Sequence, residues 1–201
     1  MFTIIIQAGG KSERMGKDKA LLPFLGQPLI ARVIDRFSGL GDETIVVANN
    51  VAEYRFLNLP LRPDVIPNRG ALGGLYTALY VSANPVVGLV ACDMPFASPQ
   101  LLAHLKATLC ETNADAALPS TEGGLEPLHA VYRRETCLPL VKKAIENGQW
   151  KMIAWHKNAD VRILTPEETK RHAPHPHTFW NLNTPQEFRE AEEEARMMND
   201  E

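Results

Sequence analysis

The segment Gln7-Ala8-Gly9-Gly10-Lys11-Ser12-Glu13-Arg14-Met15-Gly16-Lys17-Asp18-Lys19 carries the densest set of anion-binding groups in the chain. Gly9 and Gly10 follow the β-branched run Phe2 to Ile6 with two residues, Gln7 and Ala8, between. Glycines in that position let a backbone approach a ligand closely, and successive N–H groups in such a turn form an anion nest. Arg14 adds a planar fork for phosphate oxygens, and Lys17 and Lys19 add compact point charges. The chemistry predicted is a triphosphate cradle; the plainer alternative is a glycine-rich surface turn with solvated charges. Two better-known phosphate loops do not fit. A Walker A motif ending at Gly10-Lys11-Ser12 needs an earlier glycine where Ile5 stands, and a GxGxxG loop is broken by Lys11.

Asp93 follows a strong apolar run, Val86 to Cys92, and precedes Met94-Pro95. A carboxylate at the carboxyl end of a strand lies where open α/β sheets bind ligands. Beside a polyphosphate it suits Mg²⁺, which keeps several waters and takes one or two protein oxygens. Its bland reading is a turn cap before Pro95. In Asn181-Leu182-Asn183-Thr184-Pro185, the amide oxygens of Asn181 and Asn183 can complete a Mg²⁺ shell opposite Asp93, or the segment simply caps a helix. A second glycine-rich stretch, Asn68 to Leu75 with Gly73 inside it, follows a weak strand and precedes a helix. It can cover a flat base or serve as a plain connection, and Asp64 upstream is a loop residue or a contact near that base. His172, His175 and His177 alternate with two prolines and lack a fourth ligand, which favours a metal-free loop. Trp150, Trp155 and Trp180 read as core or rim aromatics. No GxSxG, HExxH or Cys/His nucleophile pattern occurs.

These residues need a scaffold, and hydrophobic periodicity supplies one. Strands are expected at Phe2–Ile6, Thr44–Ala48, Leu61–Ile66, Val86–Cys92, Ala114–Leu118 and Val161–Leu164, with an edge strand at His129–Tyr132. Helices are expected at Pro28–Phe37, Val51–Leu57, Gly73–Ser82, Ser98–Leu109, Glu135–Glu146 and Thr184–Met197, the last started by Thr184 and Pro185. Strand and helix alternate at short intervals, which means βαβ units and an α/β fold: three layers, α/β/α, around a mostly parallel sheet.

The 201 residues, 45% hydrophobic and 22% charged, suffice for one globular domain with a sizeable core. A net charge of −3 argues against a dedicated nucleic-acid or membrane-surface protein. The charge is uneven, because residues 185–201 carry a net −5 and leave the body near +2. Cys92, Cys110 and Cys137 are odd in number and far apart, as expected of reduced thiols in a cytoplasmic protein. No apolar run approaches membrane-spanning length, and no signal peptide is recognisable.

Taken in order, these motifs resemble the molybdenum cofactor guanylyltransferase family of the nucleotidyltransferase superfamily. Gln7 to Leu22 is similar to the family's LAGGxSxRMGxDKALL, departing clearly only at Gln7, where Leu is usual. Gly70 to Leu75 resembles GPLAGL, with Ala71-Leu72-Gly73 in place of Pro-Leu-Ala, and Cys92-Asp93-Met94-Pro95 resembles the metal-site CDxP. Glu126 to Tyr132 and Asn181 to Pro185 resemble the pterin-side motifs, so the likeness spans nearly the whole chain. The resemblance implies a Rossmann-like nucleotidyltransferase fold with the nucleotide bound by about residues 1–120 and the acceptor by about residues 121–201. It implies that Ala8, Gly9, Gly10 and Lys19 hold the nucleotide, with Arg14, Lys19 and Asp93 acting in catalysis and Asp93 on Mg²⁺. Asn49, Asn50, Asp64 and Gly73 would lie near the guanosine, and Asn181 and Asn183 on the acceptor side.

The implied reaction transfers GMP from GTP to the terminal phosphate of molybdopterin, giving molybdopterin guanine dinucleotide and pyrophosphate, with molybdenum cofactor delivery proteins as transient partners. No general base is required, since a phosphate monoester has its second pKa near 6 and is already mostly ionised at pH 7. Two other functions stay open on the sequence. A cytidylyltransferase acting on molybdopterin or a sugar phosphate would share the cradle, although a sugar transferase more often shows an acidic pair where Asp93-Met94-Pro95 has one acid. A nucleotide-binding regulatory domain without catalysis is the other, against which Lys19 and Asp93 together argue.

Overall fold

The computed structural model describes residues 1–8 and 18–199. Strands β1 (Phe2–Ala8), β4 (Glu43–Ala48), β5 (Leu61–Arg62), β6 (Val86–Ala91), β7 (Ala116–Thr121), β9 (His129–Arg133) and β10 (Val161–Leu164) form the central sheet, and β8 (Gly124–Leu125) pairs with the end of β7. A small separate hairpin joins β2 (Pro23–Phe24) to β3 (Gln27–Pro28). The sheet order is β10-β7-β9-β6-β1-β4-β5. Helices α1 (Leu29–Arg36), α2 (Gly70–Val81), α3 (Pro99–Thr112), α4 (Arg134–Glu146), α5 (Pro166–His172) and α6 (Pro185–Asn199) complete the fold.

All seven residues of β1 are buried, because helices cover both faces of the sheet. Ile4 and Ile6 pack with Ile30 and Val33 of α1 and with Leu101 and Leu105 of α3. Ile5 points the other way, to Leu72, Leu75 and Leu79 of α2 and to Val141 and Ile145 of α4. Successive side chains of a strand alternate faces, so Gln7 shares the α2 face with Ile5. Helix α6 closes a third apolar cluster, in which Phe188, Ala191 and Ala195 meet Phe24, Phe96 and Leu182.

β1 is parallel to both β4 and β6, and β10 to β7. β9 is antiparallel to β6 and to β7, which makes β7 run the same way as β6. The sheet is therefore mostly parallel, and the carboxyl ends of β1, β4, β6, β7 and β10 share one edge.

Three expectations need correction. His129–Tyr132 is an internal strand, antiparallel between β6 and β7, where an edge strand was expected. The strand expected over Leu61–Ile66 shrinks to Leu61–Arg62, since Pro63 lacks the N–H a ladder requires. Helix α2 starts at Gly70 rather than Gly73. Gly70 takes a φ of +55°, a left-handed value that glycine adopts without steric cost, and the glycines after it continue the helix.

Candidate active site

Lys19 and Asp93 come together at the centre of the carboxyl edge. Lys19 Nζ donates to Asp93 Oδ2 at 2.5 Å and to Asn183 Oδ1 at 3.0 Å. Their side chains are 18% and 13% exposed, so the ion pair is only partly screened by water. Each partner is fixed locally. Lys19 opens a single 3₁₀ turn, Lys19–Leu21, whose N-cap Asp18 accepts from the Ala20 amide at 3.1 Å. The other Asp18 oxygen accepts from the Tyr54 hydroxyl at 2.5 Å, and burial, followed by that bond, raises the phenol's pKa. Asp93 is anchored through its main chain, its carbonyl accepting from the Leu182 amide at 3.0 Å, while the preceding Cys92 amide donates to the Gln7 carbonyl at 3.1 Å.

Asn183 stands just before α6. Glu187 Oε2 accepts from the amides of Asn183 and Thr184 at 2.6 and 2.9 Å, and Thr184 Oγ1 accepts from the Glu187 amide at 3.2 Å, a reciprocal capping box. Asn183 Nδ2 donates to the Asn181 carbonyl at 2.9 Å, and Asn181 Nδ2 donates to the Phe179 carbonyl at 3.1 Å. A relay of amide bonds thus stiffens the segment from Phe179 to Lys19. Asn181 serves this relay, and Asn183 alone of the two reaches Lys19.

The cleft beside the ion pair is lined by Gln7, Asp18, Ala71, Ala91, Cys92 and Leu128 along with Lys19 and Asp93. Gln7 is 8% exposed, and its Oε1 is buried without a hydrogen-bond partner among the described residues. A Cβ built on Gly74 would collide with the Gln7 carboxamide, so the side chain lies in a slot that only glycine leaves open. Gly73 is inside α2, its amide donating to the Arg69 carbonyl at 3.2 Å. One strand away, Asn49 Nδ2 donates to Asp64 Oδ2 at 2.9 Å, and the Asp64 amide returns a bond to Asn49 Oδ1 at 3.2 Å. Thr77 of α2 steadies that loop by accepting from the Val65 amide at 3.0 Å. Asn50 is exposed and caps the 3₁₀ helix Val51–Leu57 without a side-chain bond to it. Ala8 ends β1, paired with Ala48. Gly9, Gly10, Lys11, Arg14 and Lys17 lie outside the described residues.

Sequence reasoning missed the Asp18–Tyr54 bond and the direct Lys19–Asp93 pairing. Lys19 and Asp93 are 74 residues apart, and nothing local signals their meeting. It also treated the histidines as a solvated loop, whereas His175 stacks on Phe96 at 4.7 Å and His172 on His104 at 3.6 Å. No group of three or more His, Cys, Asp or Glu side chains able to hold a metal occurs among the described residues.

A probable molybdenum cofactor guanylyltransferase of Carboxydothermus hydrogenoformans is 35% identical over 188 residues, covering 92% of each chain. The chain belongs to the molybdenum cofactor guanylyltransferase family. The molybdenum cofactor guanylyltransferase of Desulfosudis oleivorans is 31% identical over 94% of each chain, and the family model described as MobA-like NTP transferase domain matches residues 4–161. Among solved structures, molybdopterin-guanine dinucleotide biosynthesis protein A of Archaeoglobus fulgidus superposes with a TM-score of 0.84 at 25% identity, over 97% of this chain and 99% of that one. Membership makes the chain a nucleotidyltransferase, and the Lys19–Asp93 cleft lies where such a sheet is open to ligand. No helix among the described residues is long and apolar enough to cross a membrane.

Proposed function

We propose that the cleft at Lys19, Asp93 and Asn183 transfers GMP from GTP to the terminal phosphate of molybdopterin and releases pyrophosphate. The observation that carries this reading is the convergence of a lysine, a carboxylate and an amide oxygen at the carboxyl edge of a sheet whose glycine-rich first loop matches the family. The acceptor phosphate attacks the α-phosphorus in line, the new P–O bond forms as the bond to pyrophosphate breaks, and the nucleophile needs no base because it is already ionised. The protein's work is alignment of two anions and charge stabilisation. Lys19 supplies a cation to the triphosphate, Asp18 and Tyr54 hold the turn that presents it, and Arg14 with Gly9 and Gly10 adds phosphate donors from the first loop.

The donor set suits Mg²⁺. Asp93 Oδ2 and Asn183 Oδ1 already converge on one cation, the Lys19 ammonium, and they are the hard oxygens this ion takes when phosphates and waters fill its other positions. Asp93, aided by Asn183, would hold it. When bound, Mg²⁺ neutralises charge on the triphosphate oxygens.

The nucleotide belongs to about residues 1–120, where Asp64 and Asn49 flank the base side one strand beyond β1. The acceptor belongs to about residues 121–201. A cavity of about 380 Å³ supports that division, lined by Thr121, Thr169, Ala173, His175 and Phe179 among others. It lies on the β7 and β10 side of the same edge, two strand positions or about 10 Å from β6. The Phe179-to-Asn183 relay runs from it to Lys19. The same reading includes delivery of molybdopterin by a transient protein partner in the cytoplasm. The test is Mg²⁺-dependent release of pyrophosphate from GTP on addition of molybdopterin; no release, or release only from CTP, overturns the reading.

A further inference from the structure

Lys19 and Asp93 each carry a charge into a cleft that water reaches only in part. A carboxylate so well covered needs a cation beside it, and the Lys19 ammonium meets Asp93 Oδ2 at 2.5 Å. The ammonium directs a second donor to Asn183 Oδ1 at 3.0 Å. That oxygen is aimed by its own neighbours, because Asn183 Nδ2 donates to the Asn181 carbonyl at 2.9 Å and so turns Oδ1 toward Lys19. Two hard oxygens, one after β6 and one before α6, thus close on a single point, and a cation of this chain stands there.

A point between two oxygens admits one cation. An ammonium and a divalent ion sharing Asp93 Oδ2 and Asn183 Oδ1 would repel each other at close range, so whichever holds the oxygens excludes the other. Lys19 can leave only toward another acceptor, since a mostly covered ammonium is costly to leave unpaired. The cleft has one other carboxylate among the described residues, and it is engaged: Asp18 Oδ1 accepts from the Ala20 amide at 3.1 Å and Oδ2 from the Tyr54 hydroxyl at 2.5 Å. Burial and that bond keep the proton on Tyr54, so Asp18 Oδ2 stays turned to the phenol. A triphosphate supplies the missing acceptor, and it carries a divalent ion on its own oxygens.

We infer that the Lys19 ammonium is the resident cation of the Asp93–Asn183 site and keeps a divalent ion out until a polyphosphate draws it away, so that metal enters with the nucleotide and not before it. Every charge stays paired in this exchange: Asp93 passes from the ammonium to the divalent ion as Lys19 passes from Asp93 to phosphate oxygens. The inference rests on the proposed reading that Asp93 and Asn183 hold Mg²⁺ during transfer.

The test is binding of Mn²⁺, a hard ion visible by electron paramagnetic resonance, to the full chain without nucleotide. Lys19→Met removes the resident cation, Lys19→Gln is a second variant that keeps an N–H for Asp93, and Lys157→Met, at an exposed position, changes the net charge equally elsewhere. A thermal melt of each shows that it is folded. The expected result is that the Lys19 variants bind one Mn²⁺ at least about tenfold more tightly than the wild type or Lys157→Met, and that adding Asp93→Asn abolishes the gain. Wild type binding Mn²⁺ as tightly as the Lys19 variants overturns the inference, as does a gain that Lys157→Met matches or that survives Asp93→Asn. Calorimetry of GTP binding with and without Mg²⁺ separates this failure from that of the underlying reading. If Mg²⁺ strengthens GTP binding by the wild type and not by Asp93→Asn, the metal assignment stands without the exchange; if it strengthens both equally, assignment and exchange fall together.

Discussion

Replacing Asp93 by Asn keeps the shape of the side chain and removes its charge, so it separates the chemistry of the carboxylate from its packing. The ion pair with Lys19 is short, at 2.5 Å, and both side chains are mostly covered. Losing one partner of a fully buried pair costs about 3–5 kcal/mol, and an exposed pair is worth less than about 1 kcal/mol. Lys19 keeps Asn183 as an acceptor and some access to water, which places Asp93→Asn between these limits, at about 1–2 kcal/mol. For a chain of this length each kcal/mol lowers the melting temperature by about 2–4 °C, so a fall of roughly 2–8 °C is expected. Activity should fall far more. On the proposed reading Asp93 would hold Mg²⁺, and its loss would remove several kcal/mol of charge stabilisation, a decrease of about 10³-fold or greater in pyrophosphate release. The paired measurements are a thermal melt and steady-state kinetics under saturating GTP. A folded Asp93→Asn protein within tenfold of wild-type activity would refute the assignment, and a protein that fails to fold would show that the ion pair is structural first.

Lys19→Met should weaken GTP binding and slow turnover together, because on the proposed reading the ammonium would meet phosphate oxygens whose charge grows as pyrophosphate leaves; a change in KM alone would confine Lys19 to ground-state binding. Gly74→Ala should destabilise the wild type by displacing the Gln7 carboxamide, yet be neutral or stabilising by up to about 1 kcal/mol when Gln7 is also Ala, since Ala is then the better helix residue; denaturant unfolding of the four proteins reads this sign reversal, and additive effects would contradict it. His129 is fully buried, with Nε2–H donating to the Ser98 carbonyl at 3.1 Å, and burial lowers its pKa to about 4 against 6.5 ordinarily. The unfolded chain therefore takes up a proton before the folded one does, and stability present above pH 6.5 is lost as the pH falls toward 4, by about 3 kcal/mol in all. His129→Asn should lack about 2 kcal/mol of the wild type's loss between pH 7.5 and pH 5, as followed by urea unfolding; equal losses would contradict the neutral buried imidazole.

Much of this architecture is legible in the sequence because local signals and tertiary packing agree. The apolar runs of β1 and β6 state that both faces are covered, and Ser98-Pro99 and Thr184-Pro185 mark helix starts that the structure places at Pro99 and Pro185. Periodicity carries no information on strand order, which is why β9 was expected at an edge. Its buried His129 misleads as well, since a polar residue opening a strand suggests exposure. Helix α2 was expected to start only at Gly73 because Asn68 to Leu75 reads as a glycine-rich turn, but burial of Leu72, Leu75 and Leu79 against the sheet carries the helix back to Gly70. Helix α5 was missed although Thr165-Pro166-Glu167-Glu168 spells out a capping box, which the structure forms.

The site was legible as parts. Lys19, Asp93 and Asn183 each stood out by type and by position after a strand or before a helix, and the structure brings these three to one point. What joins them is long-range: the Leu182 amide on the Asp93 carbonyl and the Glu187 cap on Asn183 lie far along the chain from Lys19. The setting of the Gln7 carboxamide was invisible as well, because a glutamine at a strand end is ordinary until its oxygen is seen to be buried and, among the described residues, without a partner.

The central claim is that this cleft moves GMP, and one competition experiment tests it most directly. Purified protein is given molybdopterin, Mg²⁺ and equal concentrations of GTP and CTP labelled at the α-phosphorus, and the dinucleotide product is resolved and counted. Label arriving almost wholly from GTP, with one pyrophosphate released per dinucleotide and none formed by Asp93→Asn, is the predicted result. Label arriving from CTP, or pyrophosphate released without any dinucleotide, would contradict it.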